Sequence, residues 1–284
     1  MDQKSSNPLK KYFRQPKLYI SLPSKGNFYP EGSLELTENM EFPVYAMTAK
    51  DELMFKTPDA LLNGQATVDV IQSCVPNIKN AWNLPSIDLD AVLIAIRMAS
   101  SGEYMDIPLT VPGTDIEKTF QIDLRVVLDA LNNAVFETEF EVNGFKIKIR
   151  PLNYAEYTKQ AIRTFEEQRI FSIVNNDQIE DTEKLAQFNK SFKTLTEITI
   201  DTMVASIESV SIDDEVVTDK LHIAEFITNS DKNVYKALSS HIERQKQNFA
   251  VPAQEAVASQ EEQEAGAPAT YKVPVVFDQS NFFV

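Results

Sequence analysis

The sequence has 284 residues, 43% of them hydrophobic, with 27 Lys+Arg against 42 Asp+Glu and a formal net charge of −15. Such a chain is too apolar for global disorder, and its charge argues against a general duplex-DNA binder, which neutralises phosphates with clustered bases. A single cysteine, Cys74, and two histidines, His222 and His241, exclude an intrachain disulfide and a Cys/His zinc cage, while seven scattered glycines exclude a dinucleotide loop or a P-loop.

Residues 1–17 form a basic arm, with Lys4, Lys10, Lys11, Arg14 and Lys17 against Asp2 alone. Such a terminus is either a solvated tail or a tether for an acidic partner, and Tyr12 and Phe13 favour docking. The start lacks the apolar stretch of a signal peptide, and no run of 18 apolar residues occurs. The expectation is a soluble protein, located in the cytoplasm where it is made, that binds neither membrane nor nucleic acid.

From Lys17 to Met47, short β-rich pieces are punctuated by Pro23, Gly26, Pro30, Gly32 and Pro43, a density that suits edge strands and turns. Two short helices broken near Pro58 follow. Leu53, Leu61 and Leu62 are expected in the core with Val70 and Ile71 of the next helix, and Asp51, Glu52 and Asp59 at surface or cap positions. QATVDVIQSCVPNI reads as a helix ending before Pro76, with Cys74 a small core hydrophobe rather than a nucleophile. Ser86 or Asp88 caps a core helix that stops at Gly102. A hairpin turning at Pro112–Asp115 and the helix DLRVVLDALNNA come next.

The segment FETEFEVNGFKIKIR predicts a hairpin closed by a type I′ turn at Asn143-Gly144. Its register sets Glu141 against Lys146, Glu139 against Lys148 and Glu137 against Arg150, a charge ladder on a wet face. Residues 153–249 read as helical. One stripe lies in LNYAEYTKQAIRTFEEQRIFSIV and another at Leu185, Phe188, Phe192, Leu195, Ile198 and Thr199, with a short β-type insert near SVSIDDEVV.

Residues 250–270, rich in Ala, Glu, Gln and Pro, read as a flexible linker. The apolar end carries Phe277, Phe282 and Phe283, which suit docking on the chain's own fold or on another subunit. The expected fold is α+β, predominantly helical, with short β-hairpins in the first half and flexible termini. It divides into a basic arm (1–17), a mixed α/β-hairpin domain (18–151), a helical domain (152–249), an acidic linker (250–270) and a docking segment (271–284).

Several stretches resemble the baseplate hub assembly proteins of T-even-type tailed bacteriophages: KLYISLPSKGNFYPEG, AMTAKDELMFKTPDALLNGQATVDVIQSCVPNI, DLDAVLIAIRMASSGEYMDI, VTDKLHIAEFITN and FDQSNFF. The resemblance spans nearly the whole chain. It implies a non-enzymatic tail assembly factor that promotes central hub assembly by binding hub and tape-measure proteins, as a chaperone or a hub subunit, in the host cytoplasm or the virion baseplate. A homo-oligomer is compatible with it. No catalytic residue, cofactor or metal is expected, and the partner-binding candidates are Tyr12, Phe13, Phe277, Phe282 and Phe283. The competing class is a hub-associated cell-wall hydrolase, which needs two carboxylates about 6.5–9.5 Å apart in a cleft. Nothing in the sequence marks such a pair.

Overall fold

A computed structural model of the chain describes residues 9, 12–55, 64–174, 181–213 and 215–275. Strand β1 (Pro16–Ile20) pairs antiparallel with β2 (Phe42–Tyr45), and α1 (Ala49–Phe55), α2 (Gln65–Cys74) and α3 (Ser86–Ser101) pack beside them. Buried Val70, Ile71, Leu84 and Ile94 belong to this first apolar cluster. Helix α2 ends where Pro76 requires, with Cys74 fully buried. Leu53, expected in the core, is 66% exposed. Helix α1 is fixed instead through Asp51, which accepts from Thr48 N (2.7 Å) and Thr48 Oγ1 (2.8 Å). Leu61, Leu62 and Asp59 lie outside the described residues.

Helix α3 is capped by neither Ser86 nor Asp88. Its N-cap is Pro85, without a side-chain bond, and Asp88 turns inward. There it accepts from Ser24 N (2.7 Å), Ser24 Oγ (2.6 Å) and Tyr29 OH (2.9 Å), which fixes the turn-rich segment after β1. Burial raises the Asp88 carboxyl to about 6 and drives the Tyr29 hydroxyl upward.

Strands β3 (Tyr104–Thr110) and β4 (Glu117–Asp123) make the expected hairpin, followed by α4 (Leu124–Asn133) with Asp123 as its cap. The next hairpin, β5 (Glu139–Val142) and β6 (Phe145–Ile149), has Glu139 across from Lys148 and Glu141 across from Lys146. Asn143 and Gly144 both take positive φ, as a type I′ turn demands. The ladder stops short of Glu137–Arg150. Arg150 pairs with Glu156 (2.6 Å) and Glu137 with Arg244 (3.0 Å), and Lys146 reaches diagonally to Glu139 (2.7 Å).

The helices α5 (Tyr154–Val174) and α6 (Asp181–Ser206) form a long pair, bridged by Arg163 and Asp201 at 2.9 Å. Strands β7 (Ile207–Ile212) and β8 (Glu215–Val217) then extend the hairpin into one antiparallel sheet, β5-β6-β7-β8. Helices α7 (Lys220–Asn229) and α8 (Lys232–Asn248), capped by Asp219 and Asp231, pack over it, and Ile147, Ile149, Ile207, Ile223 and Leu238 form a second cluster. His241 is in this interior, stacked on Phe140 with centroids 4.3 Å apart.

Two expectations fail here. The fold is α+β, but four of the ten described strands lie beyond residue 206 and the largest sheet joins strands from before and after the α5–α6 pair, so the strands are not confined to the first half and helix does not dominate as expected. Strand pairing across long sequence separation builds that sheet, and a window-by-window reading of the chain does not contain it. Residues 250–270 are no flexible linker: they hold β9 (Gln254–Val257), α9 (Gln260–Glu264) and the start of β10 (Thr270–Val273), which pairs with β9. Helix α9 begins with a full capping box between Ser259 and Glu262. Ala258, Ala267, Tyr271 and Val273 cover Val111 and the β3–β4 hairpin in a third cluster, and Glu262 pairs with Lys118 at 2.8 Å.

Candidate partner-binding site

Arg14 anchors the segment just before β1. Arg14 Nη2 donates to Ser73 O (2.6 Å) and Ser73 Oγ (2.8 Å), Nη1 donates to Ala46 O, and the guanidinium pairs with buried Asp51 at 3.4 Å. The same guanidinium lies 3.7 Å from Cys74 Sγ. Burial still raises the Cys74 thiol to about 11, so it is protonated at neutral pH and no nucleophile. This clamp presents Tyr12 and Phe13 at the surface, 73% and 58% exposed. Phe277, Phe282 and Phe283 lie outside the described residues, beyond Val275, which is itself buried in the first cluster. Of the five expected contact residues, Tyr12 and Phe13 are therefore the two that the described residues include.

A second exposed apolar surface lies on α5 and α6. Helix α6 turns Ser191, Ile198 and Met203 inward. Leu185, Phe188 and Phe192, spaced i, i+3 and i+7, form an outward row that is 61%, 41% and 61% exposed. On α5, Phe165 is 60% exposed. The apolar period of α6 is legible in the sequence, but a stripe of Leu and Phe at helical spacing ordinarily signals burial.

Neither histidine is placed for chemistry. His222 is exposed, and His241 accepts from Arg244 Nη2 at Nδ1 (2.7 Å) with Nε2 facing Glu137 O (3.3 Å), an arrangement that fits the neutral ring. Burial holds its pKa below the ordinary value. Among the described residues no cluster of three His, Cys, Asp or Glu side chains can hold a metal ion, and no helix is long and apolar enough to cross a membrane.

A sequence profile of the family described as T4 bacteriophage base plate protein matches residues 29–262, well over half of the chain. The chain belongs to that family. Comparison with curated proteins and with solved structures returns no match. As a T4-type base plate protein, the chain has a structural role alongside other base plate proteins. The matched span contains α5 and α6 with their outward row, whereas Tyr12, Phe13 and the three C-terminal phenylalanines fall outside it. Within the base plate protein, then, this exposed apolar row is carried by the family's own segment.

Proposed function

We propose that this base plate protein is a non-enzymatic assembly factor that promotes formation of the central hub by binding hub and tape-measure proteins in the host cytoplasm. The observation that carries the reading is the outward row of α6, Leu185, Phe188 and Phe192, with Phe165 exposed further along the same helical pair on α5. Exposed aromatic residues on a rigid helical pair are anchors of the kind that dominate protein interfaces, each burying a large area on contact. Two such helices offer a partner helix a ready packing surface.

The test is co-purification with hub and tape-measure proteins, comparing the intact chain with Phe165→Ser/Phe192→Ser. Lost capture with an unchanged melting curve is the expected result. Undiminished capture moves the contact elsewhere and removes the role of this row. Lysis of purified peptidoglycan by the pure protein overturns the non-enzymatic part of the reading.

A further inference from the structure

Between the start of α3, the β6–α5 crossing and the end of α8 lies a cleft of about 300 Å3, continuous through Leu152, Tyr157 and Lys246 with a groove of about 610 Å3 along α5, α6 and α8. Its walls are largely apolar, with Phe136, Leu152 and Phe249 among them. Two acceptors in this space have no donor. Asp90, half-buried, takes no hydrogen bond and forms no ion pair among the described residues, and burial raises its carboxyl to about 6. Gln160 Oε1, in the adjoining groove, is buried without a partner.

The contrast with Asp88, two residues earlier on the same helix, is instructive. Asp88 is satisfied by three donors of its own fold. Asp90 is half-buried at the cleft wall and no donor of the fold meets it, so its carboxyl is open to a donor that a ligand brings against an apolar surface. The chain's own cations do not. Arg150 is held by Glu156 in two bonds, at 2.9 and 2.6 Å. Lys246 lines both cavities from α8 but forms no ion pair with Asp90 among the described residues. Tyr157 stands in both cavities, its hydroxyl raised by burial and by the nearby Asp90 charge.

A guanidinium suits this space better than an ammonium. It is less strongly hydrated, stacks on aromatic rings and offers five N–H donors in a plane, enough for a carboxylate and for further acceptors. We propose that the cleft is a binding site for an arginine side chain of a partner protein, with the guanidinium on Asp90, its methylenes against Leu152 and Tyr157, and the adjoining partner segment donating to Gln160. The proposal specifies partner chemistry for the assembly reading above, yet its test needs only this chain, so the two stand or fall separately.

The probes are n-propylguanidinium, the arginine side chain itself, and n-propylurea, its neutral isostere, titrated into the full chain and followed by NMR. The guanidinium should produce saturable shifts at Ser86–Asp90 and Leu152–Gln160, with an affinity roughly tenfold above that of the urea. Asp90→Asn should erase that preference while keeping or raising the melting temperature. In the unmutated chain the preference should also fade as pH drops through about 6, where the Asp90 carboxyl takes up its proton. Equal binding of the two probes, preference retained in Asp90→Asn or below that pH, or no saturable shift below roughly 100 mM overturns the site.

Discussion

Helices α3 and α6 are both long and both rich in apolar residues, yet they use them in opposite ways. Six consecutive positions of α3, Ala91 to Ile96, are buried, so the helix runs through the first cluster with nearly every side covered. Helix α6 buries Ile198, Met203 and Val204 near its C-terminal end and leaves Leu185, Phe188 and Phe192 open nearer its start. A helix that is apolar on all sides belongs inside a core, whereas one with a second, outward apolar row holds surface that contributes little to the fold. Apolar content alone therefore does not separate stabilising residues from residues available for contact; the position of the small and polar residues among them does.

The comparison breaks if the two helices respond alike to truncation. Ile94→Ala, at a fully buried site of α3, should cost about 2–5 kcal/mol in chemical denaturation, and a loss near zero would remove α3 from the core. A second pair of variants sharpens it at the turns. Gly113 and Gly144 have the same φ of +82°, but an added Cβ at Gly113 comes 2.7 Å from Gly266 O while Gly144 faces open space. Gly113→Ala should cost about 1–3 kcal/mol and Gly144→Ala about 1 kcal/mol, the difference measuring how firmly the C-terminal segment is seated on the β3–β4 turn.

The buried part of the second cluster can be read by pH. The His241 pKa is lower in the folded chain than the ordinary 6.5, so the unfolded chain binds the proton more readily and stability falls as pH drops through that value. Asp88 and Asp90, each raised to about 6 from 3.8, act oppositely: the folded chain takes up their protons first, and stability rises as pH falls through about 6. His241→Phe should remove the first trend and leave the second, as seen in melting temperatures across the range; a profile unchanged by the substitution would place His241 outside the interior. The smallest effect belongs to Phe192→Ser, expected within about 0.5 kcal/mol of the unmutated chain by the same measurement.

Local features of the fold are legible in the sequence and remote pairings are not. Asn143-Gly144 between alternating apolar residues carries the β5–β6 register within itself, and Pro76 and Asp123 mark helix boundaries through their own backbone or side-chain chemistry. Asp88 was readable as an acidic residue near a helix start, but its partner Ser24 lies 64 residues away. The composition of residues 250–270 suggests solvation, and the contrary signal was a single capping box, Ser259 to Glu262. For the candidate site, the apolar spacing of α6 is visible while the direction of its outward row is not, because that depends on which parts of α6 the helices α5 and α7 cover. Asp90 gave no signal at all, since a lone acid in a helix is usually wet.

The clamp at Arg14 and the cover on the β3–β4 hairpin also differ in when they can form. Arg14 finds its acceptors at Ala46 and Ser73, all within the first part of the chain to leave the ribosome. Lys118 and Glu262 are 144 residues apart, an interval of about 7–30 s at ordinary rates of synthesis. Through that interval Leu109, Val111 and Phe120 have no third cluster to join. The end of the β3–β4 hairpin that carries Met105, Ile107 and Ile122 has the first cluster to pack on in that interval, while the end that carries Val111 waits for β9, α9 and β10.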